Sequence, residues 1–169
     1  MQYCLQRCMF LLVLPLLLVA ARPANAQMPG DPDTTFRYFK NASINAQPQY
    51  FSRQKGDSLV FEYEVKNAGK DEIADDEWTM RLMWQIPAKA KSFSLKAEDL
   101  SDARANYLVG CFCLGRGYYA INEGEISGIR SKNGVWQVHG SIQFQGRDDK
   151  YHSVDFSGNF LLVASEGEE

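Results

Sequence analysis

The chain has 169 residues, of which 45% are hydrophobic and 12% aromatic, and it carries a formal net charge of −3. This length suits one domain with a core of its own. Its acidic balance and dispersed Lys and Arg argue against a nucleic-acid partner and against anionic membrane surfaces, because both depend on clustered positive charge.

The first 26 residues have the pattern of a cleaved secretory signal. Arg7 precedes an uncharged apolar run over residues 9–20, and Ala24-Asn25-Ala26 places small residues where a signal peptidase cuts. The run is shorter than the roughly 20 residues of a membrane-spanning helix. We therefore expect residues 1–26 to be removed, with no transmembrane segment in the mature chain; the alternative is a retained membrane anchor. The expected location is the periplasm or the extracellular space of a bacterium.

The rest of the chain divides into a leader, a domain and a tail. Residues 27–35 contain two prolines and a glycine and predict a flexible leader. Residues 165–169 predict an acidic tail. Residues 36–164 are the predicted domain.

Within the domain, apolar residues recur at every second position, which is the period of a half-buried strand. In the clearest segment Leu59, Phe61 and Tyr63 share one face, while Glu62 and Glu64 share the other. Turn residues separate such segments, so we predict an all-β fold: a single antiparallel β-sandwich or barrel of about eight to ten strands. The strand segments lie near 36–44, 59–65, 78–86, 91–96, 105–114, 117–122, 125–131, 134–145 and 151–163, with one short helix near 97–104.

The last strands are predicted to form a meander of long hairpins. Asn133-Gly134 is typical of a type I′ turn, which needs positive φ at both central residues. A symmetric pairing around residues 146–150 places Trp136 opposite Phe160 and Gly140 opposite Phe156. A shift of this pairing by one residue would move the apolar side chains of the strand to the solvent-exposed face, so the register is strongly specified.

The glycine-punctuated hairpins of this meander resemble the C-terminal half of small exported calycin-like or lipocalin-like proteins. The resemblance is carried by Gly124-Glu125-Ile126, Gly134-Val135-Trp136, the run Gly140 to Phe144 and the run Phe156 to Phe160. It covers about a third of the chain and implies an all-β meander. It transfers no functional residue.

Cys111 and Cys113 are the two cysteines of the predicted mature chain. On a straight strand their Cα atoms would lie about 6.6 Å apart, near the upper limit for a disulfide. A bridge therefore needs a local bend. The alternatives are buried free thiols, or a redox, metal or intermolecular role.

Two polar groups are candidates for chemistry. His139 faces Ser157 in the predicted register, with Asp155 diagonal to them, but a flat strand surface offers no oxyanion hole, so no catalytic residue is assigned. The acidic loop contains Asp71, Asp75, Asp76 and Glu77, which could hold a weakly bound Ca²⁺. The alternative is a solvated loop, and we expect no other cofactor.

Four aromatic residues in neighbouring strands form a candidate binding platform: Tyr107, Phe112, Tyr118 and Tyr119. Exposed rings stack on sugars or grip a protein partner. Tyr118 and Tyr119 must face opposite sides of one strand, so one of them is expected in the core.

These features favour a non-enzymatic module that contacts a protein or a glycan through its surface. One alternative is a carrier that holds a small apolar ligand inside a barrel, which requires a hollow interior. The other is a hydrolase-like enzyme, which requires a pocket where His139 or His152 meets a carboxylate.

Overall fold

The structure is a computed structural model that describes residues 32–47, 50–67, 77–111, 113 and 116–164. The described residues form ten strands and one short helix, which confirms the all-β prediction. The elements are β1 (Asp33–Gln47), β2 (Tyr50–Lys55), β3 (Ser58–Asn67), β4 (Trp78–Pro87), β5 (Ser92–Lys96), α1 (Glu98–Asp102), β6 (Asn106–Cys111), β7 (Gly117–Ala120), β8 (Glu123–Arg130), β9 (Trp136–Gln145) and β10 (Tyr151–Leu162).

The strands belong to one sheet with the order β5-β8-β9-β10-β1-β3-β4-β6-β7, and β2 pairs with β1 beside this path. β1 and β10 run parallel, with Arg37 opposite Leu161, whereas the other described pairs are antiparallel. The sheet is not closed. The all-β fold is therefore as predicted, and its strands form a single mixed sheet, with β1 and β10 as the parallel pair. Side-chain alternation reports which face is buried, but it does not encode which strands become neighbours.

The sheet curls around one aromatic core. Phe61 of β3 lies 5.2 Å from Trp84, 5.3 Å from Trp136 and 5.6 Å from Phe160, measured between ring centroids. These rings come from β4, β9 and β10, so the two halves of the strand path, on either side of β1, face each other across the interior. All four residues are fully buried. Side chains therefore fill the space inside the curl.

The C-terminal meander has the predicted register. Trp136 pairs with Phe160, and Gly140 pairs with Phe156. A Cβ added at Gly140 would lie 2.7 Å from the ring of Phe156, so this ring packs directly over bare backbone. The glycine is needed for close approach rather than for an unusual φ.

The predicted type I′ turn at Asn133-Gly134 is wrong. Gly134 has φ 88°, but Asn133 is not in the left-handed region. The Ser131 N–H donates to the Val135 carbonyl at 2.8 Å, and the Gly134 N–H donates to the Ser131 carbonyl at 3.1 Å. The hairpin therefore has a three-residue loop in which one left-handed residue follows a tight turn.

The turn between β9 and β10 repeats this design with Asp149 at the left-handed position, φ 60°. The Gly146 N–H donates to the Lys150 carbonyl at 2.8 Å, and the Asp149 N–H donates to the Gly146 carbonyl at 3.1 Å. The two hairpins of the meander thus differ in the residue that occupies the strained position.

Boundaries elsewhere differ modestly from the predictions. The short helix lies where it was expected, whereas strand β2 was not predicted. β1 begins at Asp33, three residues before the predicted domain start, because Thr34 and Thr35 pair with Val65 and Glu64 of β3. The predicted signal and the acidic tail lie outside the described residues.

A second apolar cluster lies on the outer face of the sheet. It consists of Phe39, Ala42, Ile44, Phe51, Val60 and Met83, which we call the outer cluster. The ladder between β1 and β3 shifts register between Phe39 and Ala42, and β1 then pairs with β2. Because Phe51 of β2 packs against β3 and β4 residues, the β1–β2 hairpin covers this part of the outer face.

Candidate functional site

The four residues of the predicted aromatic platform do not lie together. Tyr107 is 1% exposed, and its ring lies 5.0 Å from that of Phe144 inside the sheet. Tyr119 also packs inward, 4.7 Å from Phe144. Tyr118 is 39% exposed on the opposite face, with its ring 5.7 Å from Phe51. Phe112 lies outside the described residues.

Burial also changes the chemistry of the inward tyrosines. Desolvation raises the pKa of the Tyr107 hydroxyl well above its ordinary value, and nearby Tyr63 raises it further. Desolvation also raises the pKa of the Tyr63 hydroxyl. Both hydroxyls therefore stay protonated near neutral pH and cannot act as bases.

Cys111 and Cys113 form a disulfide-like pair with Cα atoms 5.3 Å apart. This separation is shorter than the straight-strand distance, because β6 ends at Cys111 and the chain bends there. The Arg116 N–H donates to the Cys113 carbonyl at 3.2 Å, which closes the turn beside the pair. Of the alternatives, the local bridge fits this geometry.

The acidic loop is only partly described. Asp71, Asp75 and Asp76 lie outside the described residues, and Glu77 is exposed just before β4. Among the residues that the structure describes, no group of three His, Cys, Asp or Glu could hold a metal ion. The calcium site stays a prediction.

His139 lies opposite Ser157, as predicted, on the exposed outer face of the meander. Its Nε2 is 2.8 Å from the Ser127 hydroxyl oxygen, a partner on β8 that the sequence reasoning missed. Asp155 pairs with Ser141, two residues along the strands from the pair of Ser157 with His139. His139 is exposed on an open strand face, so this set lacks the enclosure that a nucleophile needs.

Two buried carboxylates on the outer face of β3 lie at the centre of a cluster of paired charges. Glu64 is 2% exposed; Arg37 donates to it at 2.8 Å, and Arg81 through Nε at 2.9 Å. Lys66 lies 3.0 Å from Glu64, and Glu62 also pairs with Arg37. Burial alone would raise the pKa of Glu64, but hydrogen bonds and charge from Arg81 and Lys66 outweigh it and lower this pKa. Three cations surround the two carboxylates, so each carboxylate is paired and neither is available as a free acid or base.

A groove of about 860 Å³ opens at the end of the sheet where β4 and β5 separate. It is lined by the end of β4, by β5 and by the turn between them, together with helix α1 and the turn between β2 and β3. Its apolar lining includes Ile86, Phe93 and Leu95, of which Phe93 and Leu95 are half-buried against the core. We call this feature the β4–β5 groove.

Charged residues also line the β4–β5 groove: the carboxylates Asp57, Asp99 and Asp102, and one cation, Lys89. Asp99 accepts a hydrogen bond from the Lys96 main-chain N–H at 3.3 Å. Asp57 accepts one from the Ser58 hydroxyl at 3.2 Å. No ion pair joins these aspartates to a Lys or Arg of the described residues.

Sequence reasoning placed β5 and α1 correctly but did not identify this groove. Ser92-Phe93-Ser94-Leu95 alternates like an ordinary strand, and nothing local shows that its partner is β8 rather than β4. The groove exists because consecutive strands diverge, which is a property of the strand order.

No protein-family model, no curated protein and no solved structure matches the chain. The calycin-like resemblance therefore stays a prediction. Within the described residues, no helix has the length and apolar character needed to cross a membrane.

Proposed function

We propose that the protein is an exported, non-enzymatic binding module that holds its ligand on its surface, in the β4–β5 groove. The observation that carries this proposal is the groove itself. It combines an apolar floor at Phe93 and Leu95 with carboxylates at Asp99 and Asp102. Concave apolar surfaces with a few polar groups are the usual form of binding sites.

The packing of the interior favours a surface site over an internal carrier site. Phe61 occupies the middle of the curl, with its ring centroid 5.2 Å from that of Trp84 and 5.3 Å from that of Trp136. A ligand inside would have to displace these rings, which are fully buried.

The polar clusters favour binding over catalysis. Glu64 is neutralised by arginines, and His139 lies on an open strand surface. The signal-like residues 1–26 support export, which places the partner outside the cytoplasm.

A parallel screen of a random peptide display library and a glycan array tests this proposal. Ala88 lies in the exposed β4–β5 turn and lines the groove, so Ala88→Trp fills part of it. Ala46→Trp on the exposed end of β1 is the matched control. Ligands of the wild-type protein should bind Ala88→Trp about tenfold or more weakly and Ala46→Trp unchanged. Ligands that bind Ala88→Trp as tightly as the wild-type protein would overturn the assignment of the groove.

A further inference from the structure

Among the residues that the structure describes, β5 presents an unpaired edge to the β4–β5 groove. Within this part of the chain β5 pairs only with β8, and the Arg130 N–H donates to the Lys91 carbonyl at 2.9 Å. In an antiparallel pair such bonds alternate along the strand, so Ser92 and Ser94 direct their main-chain N–H and C=O groups away from β8. The Lys96 N–H follows the same alternation and points to Asp99 of α1. The outward edge of β5 therefore faces the side on which α1 lines the groove.

The apolar lining has the geometry that a further strand needs. Phe93 and Leu95 face inward at alternate positions of β5, and Ile86 lines the groove from β4. A strand laid beside β5 would direct every second side chain onto these residues. Strand addition of this kind combines main-chain hydrogen bonds with pockets for alternate side chains.

The charges of the groove select a basic partner. Asp57, Asp99 and Asp102 outnumber Lys89, and none of the three is neutralised by an ion pair within the described residues. The chain's own segments 68–76 and 165–169 carry an excess of acidic residues. Like-charge repulsion disfavours these segments as occupants and favours another polypeptide.

We propose that the β4–β5 groove binds an extended segment of a partner protein, with basic and apolar side chains alternating, which adds as a strand to β5. This inference rests on the proposed function and names the partner of the same groove. The partner's main chain bonds to Ser92 and Ser94, its apolar side chains pack on Phe93 and Leu95, and its basic side chains meet Asp99 and Asp102.

The test uses a capped peptide of alternating lysine and valine, about eight residues long, which is enough for one strand. A peptide of alternating glutamate and valine is its control. We expect the lysine peptide to bind and to slow amide exchange at Ser92 and Ser94, measured by NMR. The glutamate peptide should bind about tenfold or more weakly. Equal binding of both peptides, or no protection at Ser92 and Ser94, would overturn the inference.

The main-chain N–H of Ser94 points away from β8, so Ser94→Pro removes this outward donor without removing a bond to β8. Proline is also tolerated at a strand edge. Ser94→Ala keeps that N–H and is the matched control. The lysine peptide should lose about tenfold in affinity for Ser94→Pro and none for Ser94→Ala. Should Ser94→Pro fail to fold, N-methylation of alternate peptide residues removes the peptide's own donors, and unchanged binding would contradict strand addition.

Asp99→Asn with Asp102→Asn should weaken the lysine peptide about tenfold, whereas Asp155→Asn on the outer face should not. If library ligands bind Ala88→Trp more weakly than the wild type but the lysine peptide does not bind, the partner assignment fails and the proposed function stands. If the library ligands also bind Ala88→Trp as tightly as the wild type, both fail.

Discussion

On the inner face of β3, Phe61 lies within a shell of aromatic rings from three other strands. On its outer face, Val60 is fully buried in the outer cluster, and Glu64 is buried beneath Arg37 and Arg81. Both faces of this strand are therefore removed from water, although by different means. The inner face gains from apolar burial and ring packing. The outer face combines a smaller apolar cluster with charges that must be paired to remain buried.

The largest effect is expected on the inner face. Phe61→Ala should lower the free energy of unfolding by about 3–5 kcal/mol, because the ring is fully buried and its neighbours cannot close the cavity. Chemical denaturation measures this loss. Gln137→Ala on the exposed face of β9 is the control and should change stability by less than about 0.5 kcal/mol. A loss below about 1 kcal/mol for Phe61→Ala would contradict the curled core.

On the outer face, Glu64→Gln should cost about 2 kcal/mol. The cost is moderated because the side chains of Arg37 and Arg81 are 35% and 32% exposed, so water screens the pairs. Glu125→Gln removes an exposed partner of Lys96 and should cost less than about 0.5 kcal/mol. Equal costs for the two variants would mean that Glu64 is not effectively buried.

The same variant predicts a pH dependence. Arg81 and Lys66 outweigh burial and hold the pKa of Glu64 below its ordinary value of 4.5. A lowered folded-state pKa stabilises the fold at pH values above 4.5, and this contribution is lost as the pH falls through the folded-state value. Denaturation midpoints should therefore fall more steeply below pH 4.5 in the wild type than in Glu64→Gln. Parallel pH profiles would rule out this linkage.

Val60 and Val65 sharpen the comparison between the faces. Val65 belongs to the alternating apolar set, but it is only half-buried, whereas Val60 on the opposite face is fully buried. Val60→Ala should cost about 2 kcal/mol and Val65→Ala about half as much. The reverse order, measured by denaturation, would mean that the β1–β2 hairpin does not cover the outer face.

The smallest effects concern the two hairpin turns of the meander. Gly134→Ala should cost about 1 kcal/mol, because alanine is strained at the observed φ of 88°. Asp149→Gly should gain about 0.5 kcal/mol or more, since glycine relieves the positive φ of 60°. Thermal melts of the two single variants should shift in opposite directions. Shifts in the same direction would contradict the shared turn geometry.

The meander illustrates how far the sequence predicts the fold. The pairing of Trp136 with Phe160 followed from alternation and one turn position, because a slip of a single residue would expose every apolar side chain. The turn type did not follow, since Asn133-Gly134 is compatible with more than one loop length. Of the binding platform, the opposite orientation of Tyr118 and Tyr119 followed from the strand period. That Tyr107 would also face inward depended on its pairing with Tyr119 across the sheet.

The sequence by itself determined that the chain forms strands, which side chains of each strand share a face, and how the last two strands align. These properties are local or act across a single turn, so the period of two specifies them. The tertiary structure decided that β1 lies beside β10, that the outer face of β3 is buried, and that β4 and β5 separate to form a groove. Such features arise from contacts between segments distant in the chain, and the residues that form them alternate like those of any other strand.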